Sequence, residues 1–198
     1  IDAWRLDVAN EIDHQFWRDF RKAVLAKKPD LYILGEIWHT SQPWLQGDEF
    51  HAVMNYPLSE SIKDYFLRQR KKTEQFISEI NSQSMYYKQQ ISEVMFNLLD
   101  SHDTERIHTT AKGNVQHVKA ALTFLYLQKG TPCIYYGTEL ALIGGPDPDC
   151  RRVMPWDRVS EDNDMLNFMK KLIQVRKEVA SIIQHGNYRL EEVEPDVL

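Results

Sequence analysis

The sequence predicts an α/β fold, a partial TIM (β/α)8 barrel of about five parallel strands with surrounding helices. Short apolar runs alternate with stretches of helical period, as in successive βα units. Each run ends in polar residues, on the side where barrels keep their chemistry. The 198 residues fall short of the roughly 250 of a closed eight-stranded barrel, so half to two-thirds of one is expected.

Five strands are predicted at residues 1–8, Leu31–Glu36, Ala52–Tyr56, Val94–Asp100 and Cys133–Tyr136. Asp13 is placed to cap a first helix whose Phe16, Phe20 and Val24 share a face, and Pro29 stops it. Residues 59–91 read as a longer, partly helical excursion. Asn114 opens a helix with Val115, Val118, Leu122 and Leu125 in phase, closed by Gly130 at the C′ position. From Asp162 to Glu178, Met165, Phe168, Met169, Leu172, Ile173 and Val175 mark another amphipathic helix. Residues 1–186 are thus expected to be the second part of a barrel domain. After Gly186, Tyr188–Val193 read as a strand, so that 187–198 would begin a C-terminal β domain.

Charge and composition exclude several classes. Twenty-four Lys and Arg against 29 Asp and Glu give a net charge of −5, and no basic tract accompanies aromatic residues, which speaks against nucleic acid. No apolar run approaches the roughly 18 residues of a membrane span. Cys133 and Cys150 form no CxxC pair, so neither a disulfide framework nor a zinc site is indicated and a reducing, cytoplasmic setting is expected. The chain opens on Ile1-Asp2-Ala3-Trp4, already strand-like, which places the natural boundary upstream.

Three carboxyls carry the chemical reading. In Arg5-Leu6-Asp7-Val8 alternation puts Arg5 and Asp7 on one face, so the guanidinium can hold Asp7 ionised, as a nucleophilic carboxylate requires. Taken alone, the pair reads more readily as a structural ion pair. The apolar run Leu31–Gly35 delivers a single carboxyl, Glu36, ahead of Ile37-Trp38-His39. Apolar and aromatic surroundings disfavour the charged form, which suits a general acid, although a strand-end acid capping the next helix or facing solvent reads equally well. The fourth strand ends in Asp100-Ser101-His102-Asp103-Thr104, where an Asp beside a His could bind vicinal sugar hydroxyls or simply form a turn. His14, His51, His108, His117 and His185 show no metal-ligand spacing and read as solvated or helix-face histidines.

Arg5-Leu6-Asp7-Val8-Ala9-Asn10-Glu11, Gly35-Glu36-Ile37-Trp38-His39 and Leu99-Asp100-Ser101-His102-Asp103-Thr104 resemble, in order, three signature segments of the α-amylase family of glycoside hydrolases. Val53–Pro57, Gly130–Pro132 through Tyr136–Glu139, and Gly144–Arg151 look most like its neopullulanase, cyclomaltodextrinase and maltogenic amylase subgroup. The resemblance covers nearly the whole chain. It implies a retaining glycosidase of α-1,4 bonds, with α-1,6 bonds as a second class, in cyclodextrin, pullulan, starch or maltooligosaccharides. Asp7 would be nucleophile, Glu36 acid/base and Asp103 transition-state stabiliser. Arg5 would orient Asp7, and His102 would hold sugar hydroxyls. Asn10, Trp38 and His39 would lie on the acceptor side, although Trp38 fits packing against the barrel rim equally. Glu139, Asp147, Asp149 and Arg152 would line the donor side, in a Gly- and Pro-rich stretch that also reads as an ordinary loop.

The family's first signature segment and the inserted domain after its strand are absent from this sequence. The chain alone is therefore expected to be inert and, with open strand edges, to self-associate. No cofactor is evident, and these residues leave calcium in the longer protein open. A non-catalytic amylase-like binding or assembly domain is the alternative. A metal-dependent sugar isomerase would want clustered ligands where the Glu36 strand has one acid.

Overall fold

The computed structural model describes residues 1–194 and 198. Five short strands are parallel and neighbour one another in chain order: β1 (Ala3–Leu6), β2 (Tyr32–Gly35), β3 (Ala52–Val53), β4 (Phe96–Asn97) and β5 (Thr131–Pro132). β1 lies on β2 with Arg5 opposite Leu34 and Leu6 opposite Gly35. A parallel bridge from Met54 to Phe96 joins the β1–β2–β3 sheet to the β4–β5 pair. Parallel strands following one another around a single arc are what right-handed βα units wind when a barrel begins to close.

Every strand is shorter than the sequence suggests. The third stops at Val53 because Asn55 caps α2 (Tyr56–Ile62), with Pro57 in its first turn where no N–H is needed. The fifth lies at Thr131–Pro132 rather than Cys133–Tyr136, with only the Cys133 N–H continuing the ladder, onto Asn97 O at 2.7 Å. Gly130 explains the shift. It has φ +97°, and a Cβ there would sit 2.5 Å from the Met95 carbonyl, so it is the close-packed entry to β5 and not the end of a helix.

The helices fill the outer layer. α1 (His14–Lys27) begins as expected with Asp13 accepting the Gln15 N–H. Its buried side is set by Trp17 with Phe20 and Val24, whereas Phe16 is exposed, because residues at i, i+3 and i+7 centre the stripe. The excursion after β3 comprises α2, a π-helical turn over Lys63–Leu67, α3 (Thr73–Ser84) and α4 (Gln89–Ser92). Then come α5 (Ile107–Thr110) and α6 (Val115–Tyr126), the latter capped by Asn114 and burying Val118, Leu122 and Leu125. α7 (Asp164–Glu178) is capped by Asn163. It buries Met165, Met169 and Leu172 but leaves Ile173 and Val175 exposed. One turn beyond Leu172, Arg176 donates to the carbonyls of Tyr126, Gln128 and Gly130 at 2.5–2.6 Å, closing α6 onto the entry to β5. α8 (Ala180–His185) completes the series.

Two apolar cores result, one under α1 and β1–β3 around Trp17, Ile33, Ile37 and Phe50, the other among α2, α3, α6 and α7. Residues 188–193 form no strand, and Leu190 instead tucks into the helical core. Residues 195–197 of the expected C-terminal segment lie outside the described residues. Three histidines are less solvated than expected. His108 is buried in α5 and held neutral by desolvation, His51 accepts the Ile33 N–H, and His14 pairs with the buried Glu49. On the concave side Tyr32, Leu34, Phe96 and Leu98 face a trough of about 490 Å³. No helix among the described residues is long and apolar enough to cross a membrane.

Candidate active site

The polar end of the trough is built at the C-terminal ends of β1, β2 and β4. Register does much of the work. With Leu6 opposite Gly35, the residues just past the two strands, Asp7 and Glu36, emerge side by side. Arg5 extends along the same face and pairs with Asp7 Oδ1 through Nη1. Its Nη2 reaches Glu36 Oε1 at 2.8 Å and stands 4.0 Å from Asp103 Oδ2. One guanidinium therefore gathers all three carboxyls, a longer reach than the pairing with Asp7 alone.

The carboxyls differ in exposure. The Asp7 side chain is 70% accessible, that of Asp103 31% and that of Glu36 6%. Gly35 is what lets Glu36 sink, since the Phe50 ring lies against the strand where a Cβ would stand. Glu36 Oε2 accepts the Val8 N–H at 3.0 Å, and Oε1 also accepts the Trp38 indole N–H at 3.3 Å. Trp38 stacks on Tyr56 with ring centroids 3.9 Å apart and planes at 5°. That gives a half-exposed aromatic plate beside Glu36, and burial pushes the Tyr56 phenol up to about 12. Asp103 is held from two sides, by His102 Nε2 at 2.9 Å and by Arg151 Nη2 at 3.2 Å.

The remaining expected site residues are placed differently. Asn10 and His39 are exposed on the turns after β1 and β2, and His39 Nδ1 lies 3.0 Å from the Thr40 carbonyl. Asp149 and Arg152 form a two-pronged pair with each other at 2.8 Å. The arginine of this loop that reaches the carboxyls is Arg151, which also binds Asp147 at 2.7 Å and the His102 carbonyl at 3.0 Å. Sequence gave no means of choosing between adjacent arginines, because the short 3-10 turn over Asp149–Arg151 decides which one turns inward. Arg106 likewise carries no signal in the sequence. It is fully buried, donates to the Cys150 and Tyr136 carbonyls, and lies 3.9 Å from the Tyr135 ring centre, fastening the loop after β5 to the strand ends. Below it Asp100 accepts from Ile107 N–H and Thr138 Oγ1, and burial pushes its carboxyl up. Among the described residues no group of three or more His, Cys, Asp or Glu could hold a metal ion.

Residues 1–159 match the family model described as the alpha amylase catalytic domain. The chain belongs to the α-amylase family. The intracellular maltogenic amylase of Bacillus subtilis (strain 168) is 51% identical over 187 residues, which make up 94% of this chain and 32% of that protein. Neopullulanase 2 of Thermoactinomyces vulgaris is 46% identical over 189 residues, 96% of this chain and 32% of the relative. A solved cyclomaltodextrinase superposes with a TM-score of 0.93 at 47% identity, over 99% of this chain and 33% of its own. The α-amylase chain described here thus spans about a third of the length of the curated relatives it matches, and its strands are part of the family's TIM barrel.

Proposed function

We propose that this chain supplies the acid/base and nucleophile side of a retaining glycoside hydrolase acting on α-glucans. The observation that carries the reading is Arg5, which binds Asp7 and Glu36 together and stands 4.0 Å from Asp103. A retaining glycosidase needs two close carboxyls in opposite roles. The accessible, arginine-paired Asp7 suits attack on the anomeric carbon. The buried Glu36 suits protonation of the departing glycosidic oxygen and then deprotonation of water. Asp103 with His102 would hold sugar hydroxyls, and Trp38 on Tyr56 offers a face on which an acceptor sugar ring can stack. Asn10 and His39 border that side, while Asp149 and Arg152 would shape the donor side from a distance.

Relatives named cyclomaltodextrinase, maltogenic amylase and neopullulanase support cyclodextrins, maltooligosaccharides and pullulan as substrates, and the B. subtilis relative's description supports a cytoplasmic location. Residues 1–186 would be the second part of the barrel, with a C-terminal domain beginning after Gly186. In the full-length protein, Asp7→Asn and Glu36→Gln should each cut turnover of maltotriose by about a thousandfold or more while the fold is kept. NMR should find the first-formed product in the α configuration. Near-parental turnover in either variant, or initial release of the β anomer, overturns the assignment.

A further inference from the structure

Past Asp7 the chain does not continue extended. Val8 takes φ 47° and ψ 40°, in the left-handed region. That region is unfavourable for L residues other than glycine, and most of all for a β-branched one. Burial does not offset the cost, since Val8 is 42% exposed. Such a conformation persists where surrounding contacts over-determine it, and those contacts converge on one residue. The turn aims the Val8 N–H at Glu36 Oε2, 3.0 Å away, while Arg5 and Trp38 hold Oε1. On either side, the Glu36 N–H donates to the Leu6 carbonyl at 2.9 Å and the Ala9 N–H donates to the Glu36 carbonyl at 3.2 Å. The Ala9 carbonyl accepts the buried Trp17 indole N–H at 2.8 Å, which anchors the turn to the core.

We propose that Val8 is a positioning residue for Glu36. Its left-handed turn presents a main-chain N–H, a donor with no rotamer freedom, to the carboxyl oxygen that no side chain holds. The turn thereby fixes the acid/base in register with the residue before it, the nucleophile. The bond is strongest to a carboxylate, the form that takes a proton from water in the second displacement. This inference rests on the acid/base reading of Glu36.

The test replaces the Val8 amide by an ester, with α-hydroxyisovaleric acid at position 8 of the full-length protein, which removes the N–H and keeps the side chain. A second variant, Val8→Gly, keeps the N–H and relieves the strain of the turn, because glycine enters the left-handed region without a steric cost. The ester should lower kcat on maltotriose by about tenfold to a hundredfold. It should stay within about twofold of the parent on a dinitrophenyl α-maltoside with azide, where neither proton donation nor water activation is needed. Val8→Gly should melt no lower than the parent. Equal losses on the two substrates, or no loss on maltotriose, overturn the positioning role. Glu36→Gln measured alongside keeps the two readings apart. If it too shows no difference between substrates, the acid/base assignment is what fails; if it shows the difference and the ester does not, only the present inference does.

Discussion

Replacing Gly35 by alanine tests whether Glu36 is held by packing as well as by charge. The added Cβ would lie 2.7 Å from two carbons of the Phe50 ring, where a carbon–carbon contact wants about 3.5–4.0 Å. One side must therefore give by about 1 Å. β2 cannot, since Gly35 is registered against Leu6 on one side and Val53 on the other. The Phe50 ring has little more freedom, being 1% exposed with its centre 5.1 Å from that of Trp17. Overpacking a filled core costs about 1–3 kcal/mol, and for a domain of this size each kcal/mol lowers Tm by roughly 2–4 °C. A fall of about 2–12 °C in calorimetry is the expected result. Because Glu36 follows directly, a displacement approaching 1 Å should also cost up to about a hundredfold in kcat/KM of the full-length protein on maltotriose. Unchanged Tm and unchanged kcat/KM would mean that Phe50 moves freely, and the account of how Glu36 is buried would be refuted.

Arg5→Lys should lower kcat/KM by about a hundredfold or more, because one ammonium cannot span two carboxyls as a guanidinium does; near-parental steady-state kinetics would show that the bridge is dispensable. Burial pushes the Asp100 carboxyl above its unfolded value of 3.8, so its share of stability is full below pH 3.8 and is lost as pH rises through the folded value. Urea unfolding of Asp100→Asn should therefore show a smaller loss of stability than the parent between pH 4 and pH 7, and an equal or steeper loss would contradict the sign. Finally, the edge of β1 away from β2 is unpaired among the described residues, and Trp4 on it is 42% exposed. The isolated chain should therefore scatter light as a dimer or larger and hydrolyse neither cyclodextrin nor maltotriose, whereas a monomer with parental turnover would show that open edges leave the site intact.

What could be read in advance was what depends on short stretches of chain. Alternation along β1 put Arg5 and Asp7 on one face, single capping residues placed the starts of α1 and α6, and one acid after an apolar run marked Glu36. What could not be read depends on register or on partners distant in sequence. Arg5 reaches Glu36 only because Leu6 faces Gly35, a relation between segments nearly thirty residues apart. The inward turn of Arg151 rather than Arg152, and the service of Gly130 to β5 rather than α6, belong to the same class. The donor from Val8 is a backbone group and leaves no trace in side-chain identity.

A division of labour follows from where the buried polar groups sit. Arg106, Asn97 and Asp100 are nearly or fully buried, and Arg176 is tied to three carbonyls; each bonds to the backbone at a strand end or a βα loop. A buried donor or acceptor left unpaired costs more than the bond itself returns, so such groups specify register where apolar packing alone would tolerate slippage. The proposed reacting groups are arranged otherwise. Asp7 and Asp103 stay accessible and are oriented by Arg5, His102 and Arg151, whose own side chains are 30–46% accessible. Exposed charges hold one another weakly, so the ion pairs of Asp7 and Asp103 need a rigid base. The cluster's precision must come from the strand ends beneath it, which are fixed by buried bonds on the β4–β5 side and by the four-residue register with β2 at β1. Asp7, the proposed nucleophile, thus stands at the end of a strand whose outer edge is unpaired among the described residues, and its distance from Glu36 rests on the register with β2 and on the Val8 turn.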